Sequence, residues 1–130
     1  MADLLVVDDD ADLAPMLADL LRAEGHEVRV AVDGIAGIRQ LTERLPDLVL
    51  LDVEMPLLSG PDMAYQMFVD DCGRERIPVV LLSGVEDLDR IAACVGTPYF
   101  LTKPYLASVL LEITCRALRE RRAPLPRARS

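Results

Sequence analysis

The sequence predicts a doubly wound α/β domain, a five-stranded parallel sheet with crossover helices on both faces, and three observations lead there. Short runs rich in Val and Leu alternate with stretches of helical period. Three of these runs are apolar throughout, as strands covered on both faces must be, and only one of the five alternates apolar and polar residues. Four of the five runs end on a charged or hydroxyl residue, which places reactive groups along one rim of the sheet.

The strands fall at Leu4 to Val7, Glu27 to Val32, Leu48 to Leu51, Val79 to Leu82 and Tyr99 to Thr102. The second alternates apolar and polar residues and so belongs at an edge. Between them, Leu13, Met16, Leu17 and Leu20 form an i, i+3, i+4, i+7 stripe closed by Gly25, which predicts helix one with Asp12 as its N-cap and Pro15 in its first turn. Asp33 starts helix two, Ser59 and Gly60 precede helix three, and Asp87 lies near the start of a short helix four. Leu106, Val109, Leu110, Ile113 and Ala117 predict an amphipathic last helix. At 130 residues and 52% hydrophobic content the chain fits one domain, residues 1–122, with an Arg/Pro-rich tail or linker at 123–130 expected to be unstructured.

The net charge of -8 hides a division, since six arginines against one acid (Glu120) lie in the last fifteen residues. The acidic body repels nucleic acid, so no direct nucleic-acid binding is expected of it. Cys72, Cys94 and Cys115 lack metal-ligand spacing and read as buried small side chains in a reducing cytoplasm. No apolar run is long enough for a membrane span, which predicts a cytoplasmic protein with no membrane partner.

In sheets of this kind ligands bind beyond the carboxyl ends of the strands, where the strand order reverses. Asp8, Asp9 and Asp10 follow strand one, Asp52 follows strand three, Ser83 strand four and Lys103 strand five. For the flavodoxin-like (βα)5 order 2-1-3-4-5 the reversal lies between strands one and three, which brings Asp8 and Asp9 beside Asp52. Clustered carboxylates resist ionising together without a cation, and an oxygen-only set suits Mg2+. Asp52 is then a candidate nucleophile for a phosphoryl group, Ser83 a hydrogen-bond donor to it and Lys103, the only lysine in the chain, a mobile positive charge.

Val6-Val7-Asp8-Asp9, Leu50-Leu51-Asp52-Val53-Glu54-Met55-Pro56, Leu81-Leu82-Ser83-Gly84 and Leu101-Thr102-Lys103-Pro104 together resemble the receiver domains of two-component response regulators, over about residues 3 to 118. The resemblance implies phosphorylation of Asp52 by a sensor histidine kinase or phosphotransfer protein. It implies Mg2+ held by Asp8, Asp9, Asp52 and the backbone carbonyl of Glu54, with Asp9 the more direct ligand. It implies Ser83 and Lys103 as phosphoryl contacts, Ser83 and Phe100 as switch residues, and a cis Lys103-Pro104 peptide. The implied output is a downstream protein partner on the face of helix 4, strand 5 and helix 5, with no catalysis beyond the domain's own phosphorylation and dephosphorylation. Two departures from the family pattern stand out: Phe in place of Tyr at position 100, and a segment between Ser83 and Lys103 about two residues shorter than is common, which implies an abbreviated helix four or loop.

Three other readings use the same residues. A haloacid-dehalogenase-type phosphatase would use the Asp8-x-Asp10 pair, but no acidic pair follows Lys103 to complete its metal site, and Asp52 is left without a role. A calcium loop would use Asp8, Asp10, Asp12 and Asp19, but Leu13 occupies its glycine position, and helix capping suits Asp10 and Asp12 better. The third keeps the fold as an unphosphorylated interaction module. His26, the sole histidine, reads as a turn residue.

Overall fold

The computed structural model describes residues 2–53, 59, 61–64 and 76–125. Five parallel strands, β1 (Asp3–Val7), β2 (Glu27–Ala31), β3 (Leu48–Asp52), β4 (Val79–Ser83) and β5 (Tyr99–Thr102), form one sheet in the order β2-β1-β3-β4-β5. Helices α1 (Leu13–Ala23) and α2 (Gly34–Glu43), a helical turn at residues 61–64 (α3), α4 (Leu88–Val95) and α5 (Ala107–Glu120) cover it. The predicted strands are all present, and the alternating one is the β2 edge.

Strand period divides the core in two. On β1, Leu4 and Val6 face α1 and α5, while Leu5 and Val7 face α2, α3 and α4. The central strands β3 and β4 are buried at every position, as their unbroken apolar runs require. Tyr99 is also fully buried; its hydroxyl donates to Glu120 Oε1 at 2.9 Å and accepts the Arg122 amide, fastening the end of α5 to β5.

Several local expectations shift. The core face of α1 is Ala14, Leu17, Ala18 and Leu21, a stripe of the same period lying one residue along from the expected one, which leaves Met16 67% exposed. Asp10, not Asp12, supplies the capping side chain: its Oδ1 accepts the amides of Asp12 and Leu13, each at 2.9 Å. On α5 the buried positions are Leu110, Thr114 and Ala117, with Leu106 and Val109 exposed toward β5. Cys94 and Cys115 are exposed because they fall outside the buried stripes of α4 and α5; Cys72 lies outside the described residues. Helix α4 has only eight residues. Asp33 does cap α2, accepting the Ala36 amide at 2.7 Å, and Ser59 accepts the amide of Asp62.

The chain after α5 does not leave the domain at residue 123. Arg121 takes a left-handed conformation (φ 54°), its guanidinium meets Asp47 at 3.4 Å, Pro124 is buried, and Leu125 N–H donates to the Gly96 carbonyl at 3.2 Å. The packed unit therefore reaches residue 125. Gly96 permits this contact, since it sits at φ +83° and a Cβ there would lie 2.0 Å from the Leu125 carbonyl oxygen. Gly96→Ala is expected to lower stability by about 1–2 kcal/mol in urea unfolding, and to free the Leu125 amide to exchange with solvent.

Candidate functional site

The rim at the carboxyl ends of β1, β3, β4 and β5 gathers Asp8, Asp9, Asp52, Ser83 and Lys103. Asp8, Asp52 and Ser83 reach it as the first polar residue after a buried apolar run, Asp9 as the residue next to Asp8, and Lys103 as the residue after β5, where each strand leaves the sheet. Carboxylate oxygens of Asp8, Asp9 and Asp52 lie within 4.8 Å of one another, the only such acidic group among the described residues. Asp8 is 2% exposed and Asp52 8%, whereas Asp9 faces solvent.

Asp8 is held by both oxygens. Its Oδ1 accepts the Asp10 amide at 3.0 Å and its Oδ2 accepts Lys103 Nζ at 3.1 Å. Lys103 reaches across two strands to do so, and its Nζ stands 3.8 Å from Asp52 Oδ1. The Lys103 amide donates to the Ser83 carbonyl at 2.9 Å, continuing the β4–β5 ladder to the rim. The peptide bond from Lys103 to Pro104 is cis, as expected. Ser83 is buried, and its Oγ accepts the Val85 amide at 3.3 Å, leaving the hydroxyl proton available to a neighbouring acceptor.

Burial pushes the Asp52 carboxyl up to about 6; Lys103 pulls against that shift and Asp8 adds to it. Burial, then Asp8 and Asp52, also raise the Tyr105 phenol above its ordinary value. Tyr105, two residues past Lys103, was not singled out from the sequence; its only signal there was that adjacency. Asp10 points away from the cluster, and the amides of Leu13 and Asp12 hold its carboxyl below the usual range. Asp10 is engaged at the start of α1 and is not part of the Asp8, Asp9 and Asp52 group, so the structure does not favour the phosphatase or calcium-loop readings. Phe100 lies 37% exposed on edge strand β5, on the opposite side of the strand from buried Tyr99. Glu54 lies outside the described residues.

The donor set fits a hard divalent cation: three carboxylates converge with no His or Cys among them, and one ammonium offsets only part of their charge. With the lysine beside them, the same groups can accept an incoming phosphoryl group at Asp52.

Comparison with known proteins matches residues 4–114 to the family model for the response regulator receiver domain. The chain is 37% identical to the transcriptional regulatory protein PrrA of Mycobacterium tuberculosis over 120 residues, covering 91% of this chain and 50% of the relative. It is 34% identical to the sensory transduction protein RegX3 of the same organism, covering 85% and 48%. The chain thus spans about half the length of the curated relatives it matches. Among solved structures, the receiver domain of NtrX from Brucella abortus superposes with a TM-score of 0.81 at 31% identity, covering 90% of this chain and 98% of that one. The chemotaxis protein CheY4 of Vibrio cholerae gives 0.81 at 25% identity, covering 89% and 98%. No helix among the described residues is long and apolar enough to cross a membrane.

Because the Asp52 carboxyl is raised, folding favours its protonated form. That contribution is complete below the ordinary carboxyl range and is lost as pH rises through about 6. Asp52→Asn in metal-free protein is therefore expected to gain about 1–2 kcal/mol over the wild type at pH 7.5, with the gain vanishing near pH 4, as read by urea unfolding at the two values.

Proposed function

The chain belongs to the response regulator receiver domain family, and on that premise we propose that Asp52 is its phosphoryl acceptor, served by Mg2+ and by a sensor histidine kinase or phosphotransfer protein as donor. The observation that carries this reading is the convergence of Asp8, Asp9, Asp52 and Lys103 at the point where the strand order reverses. Asp52 is ionised at neutral pH even with its raised value, so a carboxylate oxygen is available to attack phosphorus as the bond to the donor's ring nitrogen breaks.

Asp8, Asp9 and Asp52 would hold the cation, together with the backbone carbonyl of Glu54 as the family resemblance implies. When bound, it supplies positive charge to the phosphoryl oxygens. Lys103 is anchored on Asp8 and can turn its ammonium to one of those oxygens, a contact that suits a flexible point charge. Ser83 donates its hydroxyl to another, which draws the start of the β4–α4 loop toward the site. Loss of the Val85 contact on Ser83 then shifts a pre-existing equilibrium of the face made by α4, β5 and α5, where Phe100 and Val109 are exposed. That face is the proposed binding surface for a downstream protein in the cytoplasm. The domain's own phosphorylation and dephosphorylation are the only catalysis this reading gives it, and the acidic body takes no direct part in nucleic-acid binding.

Incubation with Mg2+ and a small-molecule phosphodonor, followed by intact mass, tests the reading. A gain of one phosphoryl group is expected, abolished by EDTA and by Asp52→Asn. A wild-type chain that stays unmodified across donors and Mg2+ concentrations would return the protein to the class of unphosphorylated interaction modules.

A further inference from the structure

Helix α4 is joined to other parts of the domain at both ends. Just before its start, the Val85 amide donates to Ser83 Oγ at 3.3 Å, and Asp87 supplies no side-chain cap. At its end, Gly96 closes the helix in a left-handed conformation, its amide donating to the Ala92 carbonyl at 2.8 Å. The Gly96 carbonyl accepts the Leu125 amide at 3.2 Å. With Pro124 buried and Arg121 on Asp47, that bond keeps residues 121–125 against the domain as a strap.

The surroundings decide which of these parts can move. Thr97 is pinned to β4, its hydroxyl donating to the Val79 carbonyl at 2.6 Å while it accepts the Tyr99 amide at 3.2 Å. The end of α5 is tied to β5 by the Tyr99 hydroxyl on Glu120 and by Arg116, which lies 5.2 Å from the centre of the Tyr99 ring and donates to the Pro98 carbonyl. Helix α4 has eight residues and buries only Leu88, Ala92 and Val95. A shift of its first turn therefore rotates it about the Thr97 anchor, and the peptide that must rotate with it carries the Gly96 carbonyl. Hydrogen bonds weaken steeply with misalignment, so the rotation loosens the strap.

On the reading of Asp52 as phosphoryl acceptor, we propose that the strap is a regulated element of this chain: phosphorylation draws Ser83 Oγ off the Val85 amide, α4 pivots at Thr97, and Leu125 is released from Gly96. The coupling is reciprocal, so a closed strap disfavours the phosphorylated conformation to the degree that phosphorylation loosens the strap. Its size is bounded by what the strap itself holds. One neutral hydrogen bond, one buried proline and one exposed ion pair carry a coupling of about tenfold, not of thousands.

Amide exchange of Leu125, read by NMR, tests the proposal in two arms. In the unmodified chain, Ser83→Ala removes the acceptor of the Val85 amide and should speed Leu125 exchange severalfold, with no matching change in the amides of β3. In the second arm the chain is saturated with Mg2+ and beryllofluoride, a non-covalent stand-in for the phosphoryl group, and Leu125 exchange should rise about tenfold. Leu125→Pro deletes the donor and leaves Gly96 in place, and it should bind beryllofluoride severalfold more tightly than the wild type. Leu125 exchange that Ser83→Ala leaves unchanged overturns the proposal whatever happens at Asp52. So does a beryllofluoride complex, recognised by its fluorine signals, in which Leu125 exchanges as it does in the unmodified chain. If no complex forms, the Asp52 reading fails and takes the trigger with it, while the first arm still decides whether α4 and the strap are coupled.

Discussion

The ammonium of Lys103 between Asp8 and Asp52 is the contact on which the rest of the structure depends. Three carboxylates gathered at the end of an apolar sheet repel one another and resist desolvation, and within the protein a single cation at 3.1 and 3.8 Å offsets them. That cation comes from β5, the farthest strand in sequence from β1, and it reaches the site only because β3 and β4 lie between them in fixed register. The fully buried runs of β3 and β4 are in this sense part of the site. They hold the rim in place, so that charge can collect there at the cost of a strained balance visible in Asp52, raised to about 6 although a lysine stands beside it.

The rim residues were legible in the sequence because strand chemistry writes them plainly. A buried run of Leu and Val must stop where the chain meets solvent, and Asp8, Asp52 and Ser83 each mark such a stop, while Lys103 follows the end of the half-exposed last strand. The strand order and the β2 edge followed from the same runs. Helix faces were less legible. On α1, residues 13, 16, 17 and 20 and residues 14, 17, 18 and 21 carry the same period, and only the packing of the helix on β1 and β2 in the folded chain selects the second stripe for the core. The capping role of Asp10 was equally hidden, since Asp10 and Asp12 both stand within reach of the first amides and the backbone path after Asp8 selects between them.

The contacts that fasten the end of the chain were not legible. Pro124 and Leu125 read as the beginning of an unstructured tail, because proline and arginine are what such tails contain. The burial of Pro124 and the Leu125 hydrogen bond to Gly96 depend on a left-handed turn at Arg121, an ion pair to Asp47 and a glycine at position 96, three features that have meaning together only once the fold exists. Tyr99 and Phe100 show the opposite case. Adjacent residues on one strand, they face opposite ways by the geometry of the strand alone, one becoming a core anchor for α5 and the other a surface group.

The hold of Leu125 on Gly96 gives the domain a mechanical layout. The chain passes the α4–β5 turn rather than continuing along the axis of α5, and it is fastened at two points, the αL turn with its Asp47 contact and the hydrogen bond to Gly96. A pull on anything joined beyond residue 125 is therefore borne first by the turn that ends α4, and a displacement of α4 is passed outward through the same hitch without α5 having to move.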